Sequence, residues 1–137
     1  MIKVYKNRSY NSTIDRIKTF FDNYHVSYEI LNPQRLKREY IQHILKISDK
    51  GFEQIMISKM KGEKLYSQVF GEKDIEDHTV NEMVDILLIH PQLLRSPIIF
   101  NDTKLLVGYN PDEIRLFLPR IRQLYLLVDE ERLENFV

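Results

Sequence analysis

The first 31 residues carry the pattern that most constrains the fold. Apolar and polar residues alternate over 2–6, as in a half-buried β-strand. The next apolar residues have the three-and-four spacing of one helix face: Ile14, Ile17, Phe20, Phe21 and Tyr24. Residues 26–31, which end before Asn32-Pro33, predict a second strand. Because parallel strands need a crossover connection, this order predicts a βαβ unit.

The middle of the chain is predicted to be helical. Apolar residues between Leu36 and Ile47 share one face, and Gly51 is interpreted as the left-handed C-cap of that helix. Residues 52–60 predict another short helix. Two glycine-containing segments, 61–63 and 70–72, are typical of exposed loops.

The last third predicts a helix, a hairpin and a final helix. Thr79 is placed to cap a helix that ends near His90-Pro91. Residues 97–100 and 104–107 are two strands separated by only three residues, so we expect them to pair antiparallel. Pro111 suits the first turn of a following helix. The tail, 120–137, is predicted to be strand-like or helical.

Composition places the chain among ordinary globular domains. The 137 residues are 43% hydrophobic and 29% charged, which is enough apolar surface for one core. Twenty basic residues balance twenty acidic ones, so we expect no strong independent binding to DNA and none to a membrane. Arg35, Lys37 and Arg38 form a local basic cluster, interpreted as a solvated helix face rather than as a DNA-backbone contact.

The chain contains no cysteine, which excludes disulfides, thiolate metal sites and cysteine nucleophiles. Its four histidines, at 25, 43, 78 and 90, lack the spacing of a metal site, so no metal or cofactor is expected. The N-terminus lacks the apolar region of a signal peptide, and no window approaches the length of a membrane span. We therefore expect a cytoplasmic protein.

The element order is that of a thioredoxin-like α/β fold, with a central mixed four-stranded sheet and a helical insertion. Within that order, residues 93–120 closely resemble the Spx family, the transcriptional regulators of the arsenate-reductase-like branch of this fold. The opening 2–5 and the stretch 44–51 extend the resemblance. It implies a single domain, 1–137, with a core of 1–31 and 79–120 and an insertion of 33–78.

The resemblance breaks at the positions that carry redox chemistry. Tyr10 and Thr13 stand where the family has a C-x-x-C switch, and neither can form a disulfide. Ser96 replaces the arginine that precedes the family's third-strand proline, although Arg95 lies one position earlier. Lys59 replaces another arginine and loses its bidentate fork. These departures predict that the chain is not an enzyme.

What the resemblance retains is a docking surface. It implies binding to the C-terminal domain of the RNA polymerase α subunit, and Gly51 matches the glycine central to that contact. Lys46 and Asp49 fall where the family presents charge to the partner. Arg95 is a further candidate for partner binding. Tyr5 is either a partner contact or an edge aromatic residue.

The predicted function is therefore a transcriptional regulator without a redox switch. One alternative is a glutathione- or anion-dependent enzyme of arsenate-reductase type. Another is an interaction protein that competes with an active family member. The family resemblance also implies ClpXP or an adaptor as a partner of the tail, although Phe136-Val137 differs from the family's usual small terminal residues.

Overall fold

The computed structural model describes residues 1–7 and 12–119. Its strands are β1 (Ile2–Tyr5), β2 (Tyr28–Leu31), β3 (Ile98–Phe100) and β4 (Leu105–Val107). Its α-helices are α1 (Ser12–Asn23), α2 (Arg38–Ile47), α3 (Phe52–Ile55), α4 (Glu63–Phe70) and α5 (Val80–Ile89). The described residues also form four 3₁₀ helices: Pro33–Arg35, Ile75–Asp77, Pro91–Leu93 and Glu113–Phe117.

The strands form one mixed sheet in the order β2-β1-β3-β4. β1 pairs parallel with β2, and β3 pairs antiparallel with both β1 and β4. Through the middle of the sheet the register runs from Ile30 to Val4, Ile99 and Leu106. The predicted βαβ unit, the hairpin and the mixed four-stranded sheet are therefore confirmed.

Each face of the sheet carries its own apolar core. On one face, Val4 and Ile99 pack with Ile17 of α1 and with Phe117. On the other face, the neighbouring strand residues pack against the helices between β2 and β3, and this core includes Tyr5, Ile98, Ile44, Ile55 and Leu87. Alternation along a strand sends successive side chains to opposite faces, so the short strands serve both cores.

Three predicted elements differ in detail, and one helix was not predicted. α3 ends at Ile55 rather than near residue 60, because Met56 is extended and forms a bridge with Leu94. β2 begins at Tyr28 rather than at residue 26, because His25 takes a positive φ of 54° in the turn that follows α1. α4 was not predicted at all. The segment after Pro111 is a 3₁₀ helix over Glu113–Phe117. The predicted tail, 120–137, lies outside the described residues.

The predicted division into core and insertion is compatible with this order. All four strands and α5 lie within 1–31 and 79–120, and α2, α3 and α4 lie within 33–78. The boundaries themselves stay a prediction. None of the described helices has both the length and the apolar character needed to cross a membrane.

Candidate protein-docking site

A short turn between α2 and α3 presents Gly51, and Ser48 fastens one side of it. Ser48 follows α2 in an extended conformation, and its Oγ donates a hydrogen bond to the Leu45 carbonyl at 2.7 Å. The same Oγ accepts the Gly51 N–H at 3.0 Å. One hydroxyl therefore links the last turn of α2 to the glycine.

Gln54 fastens the other side of the turn. Its Oε1 accepts the N–H groups of Asp49, at 2.9 Å, and of Lys50, at 3.0 Å. With the bond from Gly51 to Ser48, three consecutive amides are satisfied by side chains of the turn itself. A turn held in this way needs little reordering when a partner arrives. Neither Ser48 nor Gln54 was predicted as a site residue. Their only signal in the sequence is a pair of polar side chains, one on each side of the glycine.

The backbone at Gly51 requires glycine. Its φ is 62° and its ψ is −134°, a combination that is essentially closed to residues with a Cβ. This ψ lies far from the left-handed helical region, and α2 already ends in its own cap at Ser48. The interpretation of Gly51 as the left-handed C-cap of α2 is therefore wrong, because Gly51 instead precedes the first turn of α3.

The space beside Gly51 is open. A Cβ built on Gly51 would meet no other heavy atom within 4 Å. The glycine is thus required by its backbone angles and not by crowding within the chain. Its bare backbone faces a direction from which a second molecule can approach closely.

Charged side chains surround this backbone. Lys46, Asp49 and Lys50 are exposed, and Glu53 is exposed on the first turn of α3. Lys46 lies in the last turn of α2, where a cation is favoured by the helix dipole. The surface therefore offers both signs of charge around the bare backbone of Gly51.

A cleft of about 520 Å³ joins this turn to the outer strand of the sheet. Asp49 and Lys50 of the turn line it, together with Glu53 and Gln54 of α3. From the rest of the chain, its lining comes from Arg95, the three residues of β4, Glu113 and Leu116. The structure thus brings Asp49 and Arg95, two of the predicted site residues, to one cleft beside Gly51.

Arg95 is tied to the end of α3 by its own hydrogen bonds. Its Nε donates to the Met56 carbonyl at 2.7 Å, and its backbone N–H donates to the Ile55 carbonyl at 2.8 Å. Met56 and Leu94 also form an isolated antiparallel bridge. These bonds fix the stem of Arg95 while its side chain stays exposed at the cleft.

Tyr5 does not belong to this surface. It has no exposed area, and β1 lies inside the sheet, so it is not an edge residue. Its hydroxyl donates to the Pro91 carbonyl at 3.3 Å, and burial raises the pKa of Tyr5 to about 12. The prediction of Tyr5 as a partner contact is therefore wrong, since a buried side chain offers no area to a docked protein.

Of the two positions that match the redox switch, the structure describes only Thr13. Thr13 is half-buried in the first turn of α1, and Tyr10 lies outside the described residues. Ser96, which precedes the cis-proline Pro97, accepts the Asn7 N–H on its Oγ at 3.2 Å. Hydroxyl groups therefore occupy positions where the family has sulfur or a guanidinium.

A concavity of about 500 Å³ lies at Ser96, and Ser58, Lys61 and Arg95 are among its lining residues. Lys59 is not among them, because its Nζ pairs with Asp74 at 3.2 Å on the exposed surface. The sequence suggested Lys59 and Arg95 as basic residues near this region. Of these two, only Arg95 lines the concavity. Within the described residues, no group of three His, Asp or Glu side chains is placed to hold a metal ion.

Comparison with protein families identifies the chain. The model of the ArsC family matches residues 5–117, which includes the whole described sheet except its first few residues. The chain belongs to the ArsC family. Among its relatives, the global transcriptional regulator Spx of Lactiplantibacillus plantarum is 43% identical over 93 residues, covering 67% of each chain.

Another relative matches over nearly the full length. The global transcriptional regulator Spx 1 of Bacillus cereus is 30% identical over 139 residues, which covers 98% of this chain and 100% of the relative. Relatives named Spx at 30–43% identity confirm the family resemblance found in the sequence. This chain is an ArsC-family, Spx-type member that contains no cysteine.

Solved structures of the ArsC type share the fold. A solution NMR structure of a Staphylococcus aureus protein superposes with a TM-score of 0.65 at 19% identity, covering 84% of this chain and 96% of that one. The arsenate reductase from Vibrio cholerae superposes with a TM-score of 0.62 at 12% identity, covering 85% and 97%. At these identities the likeness shows the fold alone, so it does not extend reductase activity to this chain.

Proposed function

We propose that this protein is a transcriptional regulator that binds the C-terminal domain of the RNA polymerase α subunit through the surface around Gly51. The observation that carries the proposal is the Gly51 turn, which is fastened by its own side chains and open where a Cβ would stand. The Spx-named relatives supply the function class, and the family resemblance supplies the partner.

A glycine is effective at the centre of a small interface. Without a side chain, the partner packs directly against the backbone and excludes water from it. Lys46 and Asp49, at the rim, act mainly on the encounter by steering and aligning the partner. Arg95 adds a positioned cation to the cleft that Asp49 also lines.

We propose that the protein acts by binding a partner protein and not by catalysing a reaction. No cysteine is present to act as a nucleophile or to sense oxidants, and Ser96 stands where the resemblance places an anion-binding arginine. The docking turn, in contrast, keeps its glycine. We infer a regulator that works in the cytoplasm beside the polymerase, and whose control does not pass through a disulfide.

Gly51→Arg tests the surface directly. The arginine side chain would occupy the open space over the turn, so we expect binding to the isolated α C-terminal domain to weaken by at least about 30-fold, the effect of losing a central contact. Titration calorimetry on the purified full chain measures it. Full retention of binding by Gly51→Arg would refute the proposed surface.

Gly71→Arg is the matched control. Gly71 has φ 63° and ψ −123°, close to the angles of Gly51, and its Cβ direction is also free of atoms within 4 Å. The two variants therefore carry the same backbone strain and add the same charge. We expect Gly71→Arg to bind the α domain like the unsubstituted protein, which separates loss of docking from loss of stability.

A further inference from the structure

Gln54 makes two of the three side-chain hydrogen bonds that close the Gly51 turn. Its Oε1 accepts the Asp49 N–H at 2.9 Å and the Lys50 N–H at 3.0 Å. Because both of these partners are donors, the atom that they meet must be the oxygen of the carboxamide. The turn therefore uses only an acceptor from this side chain, and a carboxylate at the same position would serve equally.

These two hydrogen bonds lie at the surface, which separates their effect on conformation from their effect on stability. Water can replace Oε1 at an exposed amide, so the free energy of unfolding depends little on them. The conformation of the turn depends on them more. Gly51 has a permissive backbone, and of the three amides Ser48 accepts only that of Gly51. Without Gln54, the backbone of Asp49 and Lys50 would be free to leave its present conformation.

The helix that carries Gln54 is anchored at its other end. α3 has four residues, too few to be stable alone, so it depends on tertiary contacts. Ile55 is fully buried, and its carbonyl accepts the Arg95 N–H at 2.8 Å. Just beyond the helix, the Ile57 N–H donates to the Leu93 carbonyl at 2.9 Å. α3 therefore joins two parts of the docking surface, because Arg95 is bonded to its last residue and the turn is bonded to Gln54.

We propose that Gln54 is a positioning residue: it holds the Gly51 turn in its docking conformation, in a fixed place relative to Arg95, without itself contacting the partner. This inference rests on the proposed binding of the α C-terminal domain. A turn that visits its docking conformation only part of the time binds with an affinity reduced by that fraction. Gln54 therefore contributes to affinity through the free protein, before the partner arrives.

Gln54→Ala removes the acceptor and tests this role in the purified full chain. In the free protein, we expect the Asp49 and Lys50 amides to exchange with solvent at least about fivefold faster, measured by NMR. Surface plasmon resonance with the isolated α C-terminal domain should show association at least about fivefold slower, with dissociation nearly unchanged because the bound partner holds the turn. Loss of a direct contact would instead raise the dissociation rate.

Gln54→Glu is the conservative variant that separates the acceptor from the rest of the side chain. Its carboxylate can accept the same two N–H groups, and hydrogen bonds to a charged acceptor are stronger. We expect this variant to keep the slow exchange of both amides and the fast association of the unsubstituted protein. The association rates of all variants are compared at about 0.5 M salt, which screens the added charge.

Gln68→Ala is the matched control, because it makes the same substitution at an exposed position of another helix, α4. It should change neither the exchange of the two amides nor either rate. Unchanged amide exchange in Gln54→Ala would overturn the positioning role without reference to a partner. Faster exchange with unchanged binding would overturn it too, as would a loss of affinity carried by faster dissociation, since Gln54 would then be a contact.

The proposed function fails by a different result, which is the absence of binding by the unsubstituted protein. The exchange measurement would then still decide whether Gln54 holds the turn. Binding by the unsubstituted protein and by Gln54→Ala at the same rates would leave the proposed function in place and overturn only the role of Gln54.

Discussion

Gly62 and Gly51 both exclude larger residues, for different physical reasons. Gly62 has an ordinary φ of −112°, but a Cβ there would lie 2.5 Å from Ile57 Cδ1 and 3.2 Å from its Cγ1. Gly51 has no such neighbour and is restricted by its φ alone. The first position is therefore governed by packing within the chain, and the second by backbone conformation.

Gly62→Ala should destabilise the protein by about 1 kcal/mol, the low end for overpacking, since the end of Ile57 can rotate away. Ile57→Val removes Cδ1, the atom that clashes. We therefore expect the Gly62→Ala, Ile57→Val double variant to lose less stability than the sum of its single variants, measured by urea unfolding. Strictly additive losses would show that Ile57 is not what excludes a side chain at Gly62.

At the residue scale, the sequence singled out candidate positions but not their geometry. Gly51 stood out because a glycine follows a helical pattern, yet its angles and its role ahead of α3 depend on Ser48 and Gln54. Tyr5 stood out as an aromatic residue on a strand, and only the strand order shows that it is buried. Exposure depends on which elements pack around a residue, which a local pattern does not contain.

α5 owes its start to a capping box. Thr79 Oγ1 accepts the Glu82 N–H at 3.2 Å, and Glu82 Oε1 accepts the Thr79 N–H at 3.1 Å. Hydrogen bonds from Thr79 hold the pKa of the Glu82 carboxyl below its ordinary value. This pair was visible in the sequence as a threonine three residues before a glutamate, and the predicted helix start at Thr79 is confirmed.

Thr79→Ala should cost about 1 kcal/mol of unfolding free energy, because the Glu82 N–H loses its acceptor at the helix terminus. Thr79→Ser is the control, since it keeps the hydroxyl and should retain most of the stability. Thermal and urea unfolding of the three proteins compare them. Equal losses in both variants would mean that the threonine methyl group, and not the cap, stabilises this end of α5.

α4 shows why one element went unpredicted. Its inward residues, Leu65, Tyr66, Val69 and Phe70, have helical spacing, but the segment has glycine on both sides. In the sequence, these glycines predict exposed loops. They are instead the two caps of the helix, Gly62 at its start and Gly71 at its end. In an eight-residue helix the caps are close enough to obscure the periodicity between them.

At the scale of the whole molecule, the order of elements was enough to predict the mixed sheet, but not the cleft beside Gly51. Asp49 and Arg95 are far apart in the sequence. They line one cleft because the backbone of Arg95 bonds to Ile55 at the end of α3, and this bond depends on how the helices pack on the sheet. Contacts of this kind follow from tertiary packing, so the sequence pattern could not predict them.

The two cores share one thin sheet, which makes their stabilities inseparable. Val4 faces one core and Tyr5 the other, and Ile99 and Ile98 divide in the same way on β3. Loss of either core would strip one whole face of these short strands. We therefore expect the described domain to unfold in a single cooperative transition, rather than one core at a time.

Ile17→Ala and Leu87→Ala test this coupling from opposite faces. Both side chains are fully buried, Ile17 in α1 against one face and Leu87 in α5 against the other. Each variant should lose about 2–5 kcal/mol, the usual cost of emptying a buried aliphatic site. Near- and far-ultraviolet circular dichroism should give the same midpoint within each variant. Two separated transitions in either variant would show that the sheet does not couple the cores.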